Sequence, residues 1–169
     1  MAISFVEGSL RIRGPNAAKI RRFDAQNSHA LLGAMKAVDF VIEETNYTIF
    51  LELKDPDNPQ ASNANRADFA KKLYSGSLDQ DLKYKYRDSY LYEWSCGNIR
   101  KPALYIVVIQ FQPFVSAHRM VRQDRLREQL PARSQAPAAW QQYYLEDVLV
   151  LDCSGWNQRF PNFRIERIS

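Results

Sequence analysis

Two apolar segments separated by a short polar break constrain the fold of this chain more than any other feature. Residues 38–44 read VDFVIEE, residues 49–54 read IFLELK, and four residues lie between them. Both segments are rich in the β-branched and aromatic residues that favour strands, and both have the length of a strand. A short connection suits an antiparallel pair. The sequence therefore predicts a hairpin of two strands that are apolar on both faces and lie inside a sheet.

Three charged residues interrupt this apolar background: Asp39 in the first segment, and Glu52 and Lys54 in the second. Alternate residues of a strand point to the same face, so Glu52 and Lys54 share a face, with the backbone carbonyl of Leu53 between them. Carboxylate and carbonyl oxygens are ligands for Mg²⁺, and a neighbouring lysine can orient or deprotonate a water molecule or stabilise developing negative charge. The other interpretation is a surface hairpin whose exposed Glu–Lys pair contributes little to stability.

The remaining segments alternate between strand-like and helix-like patterns. Residues 103–109 are apolar without interruption, as expected for a central strand covered on both faces. A helical pattern covers residues 66–94, and Gly76 can divide it in two. Further elements are predicted at 3–13 (a hairpin), 17–24 (a short helix or an edge strand), 116–130 (a basic helix), 148–151 and 163–168 (strands). This order predicts an α/β fold with a mixed central sheet flanked by helices, in a single domain over residues 1–169.

The composition narrows the classes of protein that this chain can belong to. The net charge of +4 permits an anionic partner such as nucleic acid. No apolar run has the length of a membrane span and the first residues do not resemble a secretory signal, so we expect a cytoplasmic protein without a membrane partner. The two cysteines, Cys96 and Cys153, are far apart and are expected to be reduced thiols. Two histidines are too few for a zinc site of their own.

The motif in the hairpin resembles that of the PD-(D/E)xK nuclease superfamily. In that family an acidic residue begins one core strand and (D/E)-x-K lies on the next strand. Here Asp39 matches the first acid and Glu52-Leu53-Lys54 matches the second part, while Val38 stands where the family motif has proline. The resemblance implies a metal-dependent nuclease that hydrolyses phosphodiester bonds, with Mg²⁺ or Mn²⁺ as cofactor and DNA more than RNA as substrate.

The resemblance also implies a fold and a set of site residues. The fold would be a restriction-endonuclease-like three-layer core over about residues 38–111, with N-terminal and C-terminal additions. Asp39, Glu52 and the Leu53 carbonyl would bind the metal, and the catalytic residues would be Asp39, Glu52 and Lys54. Glu7 and Asp24 are the candidates for the additional acid that the family often carries before its first core strand acid.

A second motif lies on the helix that follows the hairpin. Gln80 and Tyr84 match the Gln-x-x-x-Tyr motif of the lambda-exonuclease-type branch of the superfamily, and their spacing places both on one helical face. The resemblance implies that they position the substrate or the attacking water. Lys83 and Arg87 belong to the same helix and are predicted to contact nucleic acid, and Lys85 between them is placed as favourably for contact with phosphate.

Four further arginines, at positions 119, 122, 125 and 127, have two interpretations. They either follow a phosphate backbone or form a solvated helix face with Asp124 and Glu128 as partners, and the second interpretation is favoured. For the whole chain, two alternatives to a nuclease stay open. The fold could be a catalytically inactive scaffold that binds nucleic acid or protein, or the hairpin could be purely structural. A nuclease of this size could act as a homodimer or inside a larger complex.

Overall fold

The computed structural model describes residues 3–15, 19–25 and 34–168 of the chain. The strands in these ranges are β1 (Ile3–Glu7), β2 (Leu10–Gly14), β3 (Lys19–Arg22), β4 (Phe40–Glu43), β5 (Thr48–Lys54), β6 (Ala103–Ile109), β7 (Asp147–Leu151) and β8 (Arg164–Arg167). The helices are α1 (Asn63–Ser75), α2 (Ser77–Ser95), α3 (Ser116–Gln129) and α4 (Cys153–Arg159), with a 3₁₀ turn at Arg133–Gln135. Within these ranges no helix is both long and apolar enough to cross a bilayer.

The central sheet has five strands in the order β3-β4-β5-β6-β7. Strands β3, β4 and β5 form an antiparallel meander, in which Phe40 lies opposite Leu51 and Glu43 lies opposite Thr48. The predicted hairpin is therefore confirmed, and residues 19–22 form an edge strand beside it. Strands β6 and β7 run parallel to β5. Parallel neighbours need long crossover connections, and helices α1, α2 and α3 supply them.

A second, smaller sheet has the order β1-β2-β8, and all of its strands are antiparallel. The predicted N-terminal hairpin forms β1 and β2, which turn at Gly8 with a φ of 58°. The strand predicted at the C-terminal side of the sequence also forms, and it pairs with β2 through contacts such as Ile12 opposite Ile165. The two ends of the described chain are thus joined in one sheet.

The five-stranded sheet separates two hydrophobic cores. On one face, side chains of the sheet such as Phe50 and Tyr105 pack against Leu82 of α2 and Leu126 of α3. On the other face, the small sheet and Trp156 of α4 cover the strands. The predicted α/β fold with a mixed central sheet is confirmed, and the structure adds that a sheet forms most of the third layer.

The division between α1 and α2 fixes how α2 lies on the sheet. Gly76 has a φ of 83°, a left-handed conformation that glycine adopts without the steric cost of a Cβ atom. The long predicted helix is therefore two helices, with the break at the glycine that the sequence suggested. Helix α2 then buries one stripe of residues against the sheet: Leu78, Leu82, Tyr86 and Ser89.

Candidate metal centre

The three charged residues of the hairpin meet at one end of the central sheet. Because β4 and β5 are antiparallel, Asp39, which directly precedes β4, lies beside the last residues of β5. Glu52 and Lys54 point to the same face as Phe50, which is the face covered by the helices. Asp39 is 4% exposed and Glu52 is 0% exposed. The sequence prediction that these residues converge agrees with this arrangement.

The backbone of Leu53 connects the two strands at the centre. Its N–H donates a hydrogen bond to Asp39 Oδ2 over 2.7 Å. The N–H and C=O of one strand residue point to the same side, so the Leu53 carbonyl is directed toward the side on which Asp39 lies. This orientation suits the ligand role predicted for that carbonyl.

Two lysines neutralise the two buried carboxylates. Lys54 Nζ and Lys85 Nζ each lie 2.6 Å from Glu52 Oε1. Lys85 Nζ is also 3.7 Å from Asp39 Oδ1, so it bridges the two acids from helix α2. The sequence grouped Lys85 with Lys83 and Arg87 as a candidate phosphate contact on this helix, but it did not indicate the contact of Glu52 with Lys85. Its signal was its position directly before the buried Tyr86 and three residues after the buried Leu82, which turns it toward the sheet.

Asp39, Glu52, Lys54 and Lys85 form the inner part of the centre. Among the described residues, Glu52 is the one member of these four with a buried side-chain oxygen that lacks a hydrogen-bond partner. Both lysines contact Oε1, whereas Oε2 is buried and has no hydrogen-bond partner within the described part of the chain. Leaving a buried charged oxygen without a partner costs free energy, typically about 1–3 kcal/mol or more. A bound cation would satisfy it. Carboxylate and carbonyl oxygens are the donor set that Mg²⁺ and Mn²⁺ prefer, so the residues present fit such an ion.

The electrostatic environment changes the proton affinity of two members of the centre. Burial, and secondarily the charge of Glu52, raise the pKa of Asp39 to about 7, against the opposing effects of Lys85, Lys54 and the Leu53 N–H. Burial acts to lower the pKa of the Lys54 ammonium, but the charges of Glu52 and Asp39 outweigh it and the pKa is raised. Lys54 therefore stays charged at neutral pH, and Asp39 is poised near neutrality.

Two further acids reach Asp39 from neighbouring elements. Glu7 ends β1 in the small sheet, Asp24 follows β3, and each places a carboxylate oxygen within 4.8 Å of the other and of Asp39. Arg22 donates to both acids, to Asp24 Oδ1 over 3.1 Å and to the Glu7 carboxylate. Both candidates for the additional acid therefore lie beside the first motif acid, with one guanidinium between them.

A cleft of about 520 Å³ opens beside the two lysines. Helix α1 contributes Phe69 and Lys72 to its wall. Helix α2 contributes Leu78, Asp81, Leu82 and Lys85, and the other lining residues are Asp24, Met35, Lys36, Ala37 and Lys54. Among the described residues, the centre thus has an open approach on its helix-covered side.

The Gln-x-x-x-Tyr residues do not line this cleft. Gln80 and Tyr84 are exposed, and neither bonds to Asp39, Glu52 or Lys54 within the described residues. Residues two apart on a helix are about 200° apart, so burying Leu78 and Leu82 turns Gln80 outward. Among the described residues of this part of α2, Asp81 and Lys85 line the cleft instead, so the role of Gln80 and Tyr84 in positioning the substrate or the attacking water stays a prediction.

The predicted nucleic-acid contacts on α2 lie outside the cleft lining as well. Lys83 Nζ is 5.3 Å from the centroid of the Tyr84 ring, and Lys36 Nζ, which does line the cleft, is 6.0 Å from the same ring. Arg87 is exposed on the outer face of the helix. A role for Lys83 and Arg87 in binding nucleic acid stays a prediction.

Most of the arginines of α3 are engaged with acids on other elements. Arg122 is 6% exposed and forms a buried ion pair with Asp79 of α2. Two further ion pairs join this helix to its neighbours. Arg119 Nη2 lies 3.0 Å from Asp152 Oδ2, and Arg127 Nε lies 2.7 Å from Asp147 Oδ1. The favoured interpretation as a solvated face is therefore wrong for Arg122, because this helix uses its arginines to attach itself to its neighbours.

Comparisons of the chain with protein-family models, with curated proteins and with solved structures found no match. Membership of the PD-(D/E)xK superfamily therefore stays a prediction from the motif. The function proposed below depends on the geometry of the centre.

Proposed function

We propose that this protein is a metal-dependent nuclease that hydrolyses phosphodiester bonds of nucleic acid, DNA more than RNA. The observation that carries the proposal is the wholly buried Glu52, which shares Lys85 with the buried Asp39 and whose Oε2 has no hydrogen-bond partner among the described residues. Two buried carboxylates that share Lys85 beside a cleft cost the fold free energy. A functional role for them would account for their presence at this cost.

The ion would be held by Asp39, Glu52 and the carbonyl of Leu53. Magnesium or manganese would supply activation of a water molecule and neutralisation of charge on the scissile phosphate. Every other role in the proposed reaction belongs to side chains of the protein. Asp39 must be ionised to bind a cation, so the site favours binding as the pH rises through about 7.

Lys54 and Lys85 have different roles in the proposed reaction. Lys54 follows Glu52 on β5 and stays protonated at neutral pH, so it suits stabilisation of negative charge in the transition state. Lys85 approaches the same Glu52 oxygen from α2, on the cleft side. It is placed to contact a phosphate that enters the cleft.

The proposal is tested by incubating the protein with linear, circular and single-stranded DNA and with RNA, in Mg²⁺ and in Mn²⁺. We expect cleavage that EDTA abolishes and that Glu52→Gln and Lys54→Met reduce by at least about a hundredfold. Lys71→Met, on the exposed face of α1, is the control and should cleave like the wild type. Cleavage that survives in both Asp39→Ala and Lys54→Ala would sink the assignment.

One observation favours a non-catalytic scaffold as the second candidate. Lys54 and Lys85 already balance the charges of Asp39 and Glu52, so the side chains of the centre neutralise one another without a metal ion. Calorimetric titration separates the two candidates. Binding of Mn²⁺ that Glu52→Gln removes supports the nuclease, whereas no heat of binding at millimolar Mg²⁺ or Mn²⁺ supports the scaffold.

A further inference from the structure

The cleft beside the metal centre has two chemically different parts. Four lysines surround it, Lys36, Lys54, Lys72 and Lys85, together with Asp24 and Asp81. The rest of its lining is apolar and consists of Met35, Ala37, Phe69, Leu78 and Leu82. The lining therefore combines positive charge with an apolar surface that includes one aromatic ring.

The cations of the cleft are available to an anionic ligand. Lys36 pairs with Asp81, and Lys72 Nζ lies 2.8 Å from Asp68 Oδ2, but both of these ion pairs are about half exposed. Exposed pairs of this kind contribute little free energy, so a phosphate can replace the carboxylate partner at low cost. Lys54 and Lys85 then lie deeper, next to the buried carboxylates.

The apolar part of the cleft needs a different ligand group. The backbone of a duplex presents only phosphates and sugars to a protein surface, and lysines alone would serve it. An apolar surface with an aromatic ring suits the flat face of a nucleobase, which is exposed only when the base is unpaired. A volume of about 520 Å³ lies in the range of small-ligand sites and is large enough for a nucleotide unit.

We infer that this cleft binds an unpaired nucleotide, and that the protein acts on single-stranded nucleic acid or on single-stranded ends. The base lies against Phe69 and Met35, the two apolar lining residues that are partly exposed, and the adjoining phosphates contact Lys72 and Lys85. The statement about action rests on the function proposed above, but the binding of a single strand does not.

Binding is measured without metal, so that it does not depend on catalysis. Fluorescence anisotropy in EDTA compares a short labelled single-stranded oligonucleotide with the duplex of the same sequence. We expect the single strand to bind more tightly. Phe69→Leu keeps an apolar side chain against Phe111, from which Phe69 is 5.7 Å between ring centroids, and removes the aromatic face. This variant should bind the single strand about tenfold more weakly and leave duplex binding unchanged.

Lys72→Gln and Lys71→Gln form a matched pair on helix α1, since both lysines are exposed and only Lys72 lines the cleft. Lys72→Gln should weaken single-strand binding several-fold, and Lys71→Gln should not change it. Equal affinity for single strand and duplex, or equal effects of the two lysine variants, would overturn the inference. Single-strand binding without any cleavage in Mg²⁺ or Mn²⁺ keeps the cleft inference and removes the nuclease proposal. Cleavage of duplex alone, with no preference in binding, does the reverse.

Discussion

At the scale of single residues, the buried charges of the centre reduce the stability of the folded protein. Burying two carboxylates near each other is costly, and breaking their ion pairs with the lysines would be costlier still. The pKa of Asp39 reflects this cost, because burial and the neighbouring charge of Glu52 raise it to about 7. The protein therefore prefers a neutral Asp39 until a cation or a higher pH favours its ionised form.

Asp39→Asn is predicted to stabilise the protein at alkaline pH. The pKa of Asp39 is raised from 3.8 to about 7 on folding, so its stabilising protonated form is fully present below pH 3.8 and is lost as the pH rises through 7. At pH 8 the variant should exceed the wild type by up to a few kcal/mol in free energy of unfolding, and at pH 5 by much less. Urea denaturation in EDTA at the two pH values measures this. Asp68→Asn, at an exposed carboxylate, should show no such pH dependence.

Lys85→Met is predicted to reduce cleavage by a factor of about a hundred or more. The substitution removes the ammonium that contacts Glu52 and lines the cleft, while it keeps the length of the side chain. Single-turnover rates at saturating Mg²⁺ check the prediction, with thermal unfolding to show that the variant is folded. If Lys85→Met cleaves like the wild type while Lys54→Met does not, Lys85 only balances the charge of Glu52.

At this scale the sequence predicted the convergence of Asp39, Glu52 and Lys54 because strand alternation and hairpin pairing fix their relation locally. The contact of Lys85 with Glu52 could not be predicted, because it depends on how α2 is rotated on the sheet. The outward positions of Gln80 and Tyr84 depend on the same rotation. The buried stripe of Leu78 and Leu82 sets which face of α2 meets the sheet, and Gln80 lies on the opposite face.

At the scale of elements, α3 is attached to the helices that wall the cleft by one buried ion pair. Arg122 of α3 pairs with Asp79, at the start of α2, and also donates to the carbonyl oxygen of Leu73 near the end of α1. It thus joins three helices at the point where Gly76 divides α1 from α2. The sequence indicated a basic helix here, but it could not show which arginine turns inward, because that depends on packing between elements distant in the chain.

Arg122→Met is predicted to destabilise the protein by about 3–5 kcal/mol, since it leaves Asp79 buried without its partner. Adding Asp79→Asn to the same chain should restore much of that loss, because no uncompensated charge then remains. Urea denaturation of the two single variants and the double variant gives the coupling energy. Arg125→Met, at an exposed position one turn further on, is the control. Additive losses in the double variant would contradict the prediction.

At the scale of the whole molecule, the acids of the centre come from both sheets. Asp39 belongs to the five-stranded sheet, whereas Glu7 ends a strand of the small sheet. The α/β class and the mixed sheet could be predicted because the order of strands and helices determines them. The pairing of β8 with β2 could not, since the two segments lie at opposite ends of the sequence and no local pattern specifies their contact.

Glu7→Gln is predicted to weaken binding of Mn²⁺ several-fold, because it removes one carboxylate of the cluster that contains the proposed metal ligand Asp39. Isothermal titration calorimetry measures the affinity. Glu166→Gln is the matched control in the same small sheet. Glu166 is not part of the cluster and pairs with Arg13, with 2.7 Å between Arg13 Nη2 and Glu166 Oε1. Equal affinities in all three proteins would mean that Glu7 only anchors Arg22.

One oxygen of Glu52 has no hydrogen-bond partner among the described residues, and this has a consequence for laboratory evolution. A library of variants selected for heat resistance alone should replace Asp39 and Glu52 together with Lys54 and Lys85, because apolar side chains in place of the whole group relieve the buried charges and leave no lysine without its partner. A library selected for cleavage should retain both acids and gain stability elsewhere. Sequencing the survivors of the two selections would therefore separate the positions that the protein keeps for its chemistry from those that it keeps for its fold.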